Sequence, residues 1–315
     1  MKIIFFASDE FAVPSLKALR ASGNEICCVV TQPDRKKGRH LHLEGTPVKN
    51  LARELGFEIL QPEDINAVSV LKLLKSFKPD LFIVIAYGQI LSFEVLALPA
   101  IFALNIHASL LPRYRGAAPI NWAIIRGEKN TGVSAMKMNR KMDAGEIIFQ
   151  EKTEIDPADN ALTLAARLSL SGSGLLIKTV KAIAGDKYKL TPQDESVVSF
   201  APKLKKSDGL INWGNSAREI NNLIRGCYDW PGAFTHYKGR ILKILKADVF
   251  FSLENEKVKK NPGEIIRVLK DDFVVSTARG DLVVEELQIE GKRRMQVEEF
   301  IAGHKIQPGE ILGKK

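Results

Sequence analysis

The chain reads as an α/β protein in two parts: a mostly parallel open sheet with helices on both faces, then a smaller β-barrel domain. Three observations predict this. In the first half, short apolar runs alternate with amphipathic helical stretches, the plan of a sheet built from strand–helix–strand units. Residues 81–86, Leu-Phe-Ile-Val-Ile-Ala, are continuously apolar, as a parallel strand covered on both faces must be. Beyond residue 206 the pattern changes to short strands separated by Asn-Pro-Gly and Arg-Gly-Asp turns, which suits a small open barrel.

The elements follow in order. Residues 3–7 form a first strand, 11–21 a helix stopped by Gly23, and 25–31 a strand rich in β-branched residues. The opening Met1-Lys-Ile-Ile-Phe-Phe6 thus reads as a strand and not as a cleaved leader. No Gly-x-Gly-x-x-Gly follows it. The chain has Ala7-Ser-Asp-Glu-Phe-Ala12 there, which disfavours a dinucleotide enzyme despite the Rossmann-like plan. Residues 32–49 form a polar loop holding Lys36, Lys37 and Arg39, and loops of this length in compact domains are usually functional.

A helix over 48–55, a short strand at 57–60 and a helix over 66–77 lead into the buried strand. Tyr87 and Gly88 sit at its carboxyl end, where a glycine lets a ligand approach the backbone. Residues 101–104 make the next buried strand, and 118–126 a helix with Pro119 in its first turn. Two strands, 131–138 and 146–155, flank a tip, and 160–184 is a long helix capped by Asn160, with Gly172 and Gly174 as weak points. Polar, proline-containing residues 191–206 end in Lys203, Lys205 and Lys206 and suit an interdomain crossing. The chain therefore divides into residues 1–189, a Rossmann-like domain; 190–206, a basic linker; and 207–315, an OB-like barrel domain. The last holds helices at 217–226 and 297–302 and strands at 233–237, 240–251, 263–269, 273–277 and 282–289.

Composition narrows the function classes. Of 315 residues 45% are hydrophobic and 26% charged, ordinary values for a soluble protein, and no apolar run is long enough to span a bilayer. Cys27, Cys28 and Cys227 form neither a disulfide framework nor a metal motif, and the five histidines lack ligand spacing, so no metal is expected. A reducing cytoplasm fits. The net charge of +9 is shared by both parts of the chain and favours an acidic partner such as RNA.

The chemistry centres on Asn105-Ile-His-Ala-Ser-Leu-Leu-Pro-Arg-Tyr-Arg-Gly116. Asn105 and His107, at i and i+2 on an extended segment, share a face. Pro112 then ends the strand. In open parallel sheets the crevice beyond the carboxyl ends binds ligands, and an amide beside an imidazole there suits acyl or formyl chemistry. Taken alone, the pair also fits a strand end that satisfies nearby backbone groups. Likewise, Asp143-Ala-Gly145 alone is an ordinary hairpin turn.

The whole string, continued by Ala117-Ala-Pro-Ile120, closely resembles the signature of the folate-dependent formyltransferases. The likeness runs nearly end to end and is nearest to the branch that formylates tRNA. It implies transfer of formyl from 10-formyltetrahydrofolate to the free amine of methionyl initiator tRNA by a monomer. In that reading Asn105 holds the oxyanion, His107 handles the amine's proton, and Asp143, on a Met-Asp-x-Gly element, orients His107. Ser109, Leu110, Leu111 and Pro112 match the folate-contacting turn, and Tyr87 with Gly88 would wall the folate pocket. Arg39, with Lys36 and Lys37, would meet the acceptor end of tRNA, and Lys205 and Lys206 its backbone. Trp213, Arg225 and Trp230-Pro231 match positions in the family's C-terminal domain, the tryptophans as packing residues. The chain departs from the family at Ala7-Ser-Asp9, where Gly-Thr-Pro is frequent, and at Asn139-Arg140, where an acidic residue and a glycine are usual. A relative acting on a small molecule, or a hydrolase, would share the Asn–His–Asp set; a silent RNA-binding protein would keep only the fold. The Gly38-Arg39 step and basic linker argue against the first, the intact set against the second.

Overall fold

The structure is a computed structural model and describes residues 1–37, 42–250 and 261–313. Its chain divides into two compact units, Met1–Pro119, Asn130–Glu154 and Ala165–Pro202 in one, Ile120–Lys129, Ile155–Leu164 and Lys203–Lys315 in the other.

The first unit is organised by a seven-stranded sheet. In chain order the strands and helices are β1 (Lys2–Ala7), α1 (Val13–Ala21), β2 (Glu25–Val30), a hairpin of β3 (Arg35–Lys37) and β4 (His42–Glu44), α2 (Pro47–Glu54) and β5 (Ile59–Leu60). Then come α3 (Val68–Ser76), β6 (Leu81–Ile85), α4 (Phe93–Leu96), β7 (Phe102–His107), α5 (Pro119–Ile125), β8 (Asn130–Lys137), β9 (Ile147–Glu154) and α6 (Ala161–Ala184), of which α5 beyond Pro119 and the first turn of α6 belong to the second unit. The sheet runs β5-β2-β1-β6-β7-β8-β9. Pairings from β5 across to β7 are parallel, while β8 and β9 add antiparallel. The chain builds outward from β1 through β2 to β5, then returns to the other side of β1 with β6. That reversal opens a crevice at the carboxyl ends of β1 and β6.

Burial on both faces explains the continuous apolar runs. Ile4, Phe6, Phe82 and Val84 join a cluster with Leu74 and Val95 on one face. Ile3, Phe5, Leu81 and Ile83, which alternate with them, are also fully buried. Gly172 of α6 is no weak point: a Cβ there would meet Ile106 Cγ2 at 3.3 Å, so its absence lets the helix approach the sheet. Within the polar loop 32–49, residues 35–37 and 42–44 pair as β3 and β4, which its composition does not predict. Helix 11–21 begins instead as a 3-10 turn, Glu10–Ala12, capped by Asp9.

The second unit holds α7 (Ala217–Gly226), β10 (Ala233–Tyr237), β11 (Arg240–Phe250), β12 (Ile265–Val268), β13 (Phe273–Ser276), β14 (Asp281–Ile289), β15 (Met295–Gln296) and α8 (Val297–Gly303). Its antiparallel sheet runs β10-β11-β14-β13-β12, with β15 on β14. Register shifts near Ile244 and Lys246 bend the long β11, as a curling OB-like sheet requires. Ser216 and Glu219 cap α7 reciprocally, and Ile220 and Ile224 reach the core beside Leu242, Leu287 and Phe300. Trp213 packs as expected, its Nε1 donating to Thr235 Oγ1 at 3.0 Å. Trp230 does not: it lies in the turn between α7 and β10 and is 57% exposed. No helix among the described residues is long and apolar enough to cross a membrane.

Candidate active site

β7 runs past the apolar residues 101–104 because Asn105 and His107 keep their ladder pairing, opposite Met136 and Ser134 of β8. The pair therefore sits within the last turn of pleat, on one face. Asn105 is half-buried, and its side-chain amide has no hydrogen-bond partner among the described residues. It is a donor with nothing local to satisfy. The simpler reading of the motif, a strand end bonding its own backbone, therefore does not apply to Asn105.

His107 is nearly enclosed, 8% exposed. Its Nε2 donates to the Tyr114 carbonyl at 3.0 Å. A carbonyl only accepts, so the proton resides on Nε2 and Nδ1 is the basic nitrogen. Nδ1 faces Asp143 Oδ2 at 3.7 Å. This is ion-pair range but beyond a good hydrogen bond, so the carboxylate is placed to stabilise a proton that arrives on Nδ1.

Asp143 has a left-handed backbone, φ +50°, which aspartate tolerates better than most residues. Its Oδ2 accepts from Gly116 N at 2.8 Å, tying the β8–β9 tip to the β7 turn. Asn139 closes the tip, donating to Ala144 O at 3.0 Å and accepting from Lys141 N at 2.9 Å. Arg140 needs no unusual φ; its guanidinium stacks 4.1 Å over the Phe93 ring. The tip thus forms without the glycine usual at that position. Gly145 is needed for space: a Cβ there would lie 1.7 Å from Lys137 O. Gly145→Ala is expected to cost roughly 3 kcal/mol of stability, read from the urea midpoint, because backbone must move to admit the methyl.

The turn after β7 divides its labour. Ser109 is fully buried and donates its hydroxyl to Arg113 O at 2.6 Å, and its own carbonyl accepts from Ser134 Oγ at 2.6 Å. Leu111 is buried as well, with its N–H donating to Ser134 Oγ. These two build the turn; Leu110 and Pro112 are its half-exposed members. At the neighbouring edge Ser8 donates to Tyr87 O at 2.9 Å and accepts from Gln32 N at 3.0 Å, stapling the ends of β1, β2 and β6. Tyr87 is buried against Phe6, so its backbone, with Gly88 at φ +93°, forms the edge. Tyr87 Oη and Gln32 Nε2 are buried without a hydrogen-bond partner among the described residues.

Lys36 and Lys37 lie on β3, opposite Leu43 and His42, while Arg39 falls outside the described residues. At the hairpin's root, hydrogen bonds from Gln61 and Lys49 hold the Asp34 carboxyl below the usual carboxylate range. Lys205 and Lys206 are exposed at the turn Lys206–Gly209 of the second unit. Two residues that touch these groups carry no motif: Ser8, and Gln193, which donates to the carbonyl of Asp143. Only contact across the fold identifies them.

A family model described as formyl transferase matches residues 1–180, and one described as formyl transferase, C-terminal domain, matches residues 203–305. The methionyl-tRNA formyltransferase of Geotalea uraniireducens is 42% identical over 315 residues, covering 100% of this chain and 99% of that protein. That of Thermodesulfovibrio yellowstonii is 46% identical over 308 residues, covering 98% and 97%. Among solved structures, the N-formyltransferase of Helicobacter canadensis, in complex with folinic acid and dTDP-3-aminofucose, aligns with TM-score 0.66 at 20% identity over 90% of this chain and 98% of its own. The methionyl-tRNA formyltransferase from Clostridium thermocellum aligns with TM-score 0.54 at 18% identity over 82% and 95%.

Proposed function

The chain belongs to the formyl transferase family, and on that premise we propose that it moves formyl from 10-formyltetrahydrofolate to the free amine of methionyl initiator tRNA. The product is N-formylmethionyl-tRNA. The arrangement that supports the chemistry is the unpartnered Asn105 amide beside His107 Nδ1, with Asp143 Oδ2 at 3.7 Å. The acceptor is chosen on the full-length relatives, 42% to 46% identical, that bear the tRNA enzyme's name.

In this reading the neutral amine attacks the formyl carbon and the carbonyl oxygen becomes an oxyanion. Asn105 donates its amide N–H to that oxygen. His107 Nδ1 takes the proton that the attacking nitrogen sheds, and Asp143 stabilises the resulting imidazolium. Returned to the folate nitrogen as its bond to the formyl carbon breaks, the same proton completes the exchange. Gly88 permits close approach of the donor at the β1–β6 edge, and Gln32 Nε2, without a hydrogen-bond partner among the described residues, suits a planar, polar ring there. Leu110 and Pro112 offer the apolar side, with Ser109 and Leu111 shaping the turn beneath them.

Residues 1–189 form the catalytic domain in this scheme, 190–206 the basic linker and 207–315 the tRNA-binding domain. Arg39, Lys36, Lys37, Lys205 and Lys206 meet tRNA. The protein works as a monomer in the cytoplasm. The test is transfer of labelled formyl to initiator and elongator methionyl-tRNA. Transfer to initiator tRNA is expected, and Arg39→Ala is expected to raise KM for tRNA roughly tenfold while donor binding holds, as loss of a phosphate or base contact would. Turnover on a sugar amine or on water, with none on charged tRNA, would overturn the choice of acceptor.

A further inference from the structure

The segment after α6 reaches both partners of the His–Asp pair. Thr191 exchanges backbone hydrogen bonds with Ile147 of β9, at 2.8 and 2.9 Å. Further on, Arg115 N donates to Ser199 O at 2.9 Å, and Ala201 N donates to Arg115 O at 2.7 Å. Ser199 Oγ accepts from Tyr114 N at 2.9 Å, and Tyr114 O is the acceptor that seats His107 Nε2. On the other side, Gln193 Nε2 donates to two carbonyls of the tip, Asp143 O at 2.9 Å and Gly145 O at 2.7 Å.

Gln193 is itself held. Its Oε1 accepts from Arg115 Nε at 3.0 Å and Nη2 at 2.8 Å. Arg115 is buried, and its remaining donors engage Glu195, whose carboxyl the hydrogen bond from Arg115 keeps below the usual range. A guanidinium so placed has its donors committed and little rotational freedom. It therefore fixes which end of the Gln193 amide faces the tip: oxygen to Arg115, nitrogen to the carbonyls.

We propose that Gln193 is a positioning residue that sets the separation of the Asp143 carboxylate from His107 Nδ1, with Arg115 and Glu195 locking its orientation. The inference rests on the reading of that pair as the reaction's proton relay. Asp143 occupies a left-handed backbone and points its carboxylate at Gly116 N, so a small rotation of the tip would change both contacts. Gln193 grips the carbonyls on either side of Ala144 and blocks that rotation.

Gln193→Glu separates positioning from general support. It keeps the shape and still accepts from Arg115, but presents an oxygen to the two carbonyls. The expected result is a roughly 10- to 100-fold fall in kcat with KM for the formyl donor within about twofold, the pattern of a displaced supporting contact. In an Asp143→Asn background the same change should cost less than about threefold, because residues acting through one another are not additive. The Gly116 amide proton, held by Asp143 Oδ2 at 2.8 Å, supplies a readout independent of turnover. Its NMR shift should move in Gln193→Glu as it does in Asp143→Asn. An unchanged kcat, a full loss that persists in Asp143→Asn, or a Gly116 amide at its wild-type shift would each overturn the proposal. Should the wild-type protein fail to formylate methionyl-tRNA, the proposed reaction falls, and the Gly116 amide alone then decides whether Gln193 places Asp143.

Discussion

His107→Ala is expected to lower kcat for formyl transfer by roughly 10³-fold, in the middle of the range for loss of a positioned general base. The reasoning starts from the tautomer. Tyr114 O takes the Nε2 proton at 3.0 Å, so only Nδ1 can accept from an attacking amine, and Asp143 faces that nitrogen. The substitution also removes the bond to Tyr114, which costs about 1 kcal/mol of stability. His107→Gln answers that complication, because its amide can still donate to Tyr114 O while offering no basic nitrogen in place of Nδ1. Single-turnover formylation should fall alike in both variants, with unfolding midpoints close to wild type for Gln. Retention of more than about a tenth of the rate by either variant would contradict a base at this position.

Asn105→Asp should cost roughly 10²–10³ in kcat, about 3–4 kcal/mol of transition-state stabilisation. The replacement is isosteric, but it turns a donor into an acceptor where the oxyanion develops. Stability should hardly change, since the Asn105 side chain has no hydrogen bond to lose among the described residues. That combination is the useful diagnostic. A structural asparagine would show the reverse, a lowered unfolding midpoint with kcat largely kept. KM for methionyl-tRNA should stay near wild type, because the amide acts on the reacting carbonyl and not on the nucleic acid.

Several details of the site follow from one another in ways that no short stretch of sequence announces. The polar loop 32–49 was legible as a place of function by its length and charge, yet the pairing of residues 35–37 with 42–44 was not. Three-residue strands carry too little period-2 signal to separate from loop. Trp230 has the character of a packing residue and is exposed, because hydrophobicity alone does not say whether a turn faces inward. At the tip, the departure at Asn139-Arg140 drew attention to the wrong residue. The left-handed backbone belongs to Asp143, and Asn139 supplies the closing hydrogen bonds.

The proposed catalytic trio was legible to different degrees. Asn105 and His107 are two residues apart on a strand, so the pleat alone puts them on one face. Asp143 is distant in sequence, and only the family resemblance pointed to it. The contact that gives it meaning, Oδ2 on Gly116 N, joins two segments that become neighbours when β8 lies antiparallel to β7.

By itself the amino-acid order determined the alternation of buried strands and amphipathic helices, the change to short strands after residue 206, and the face shared by Asn105 and His107. These are local properties, set by backbone periodicity and the partition of apolar side chains from water. The tertiary structure alone decided which nitrogen of His107 is basic, how near Asp143 stands, and that Gln193, Arg115 and Glu195 brace the tip. Hydrogen bonds and ion pairs act over a few ångströms and depend on direction. Between residues far apart along the chain they exist only once the fold has brought the partners together.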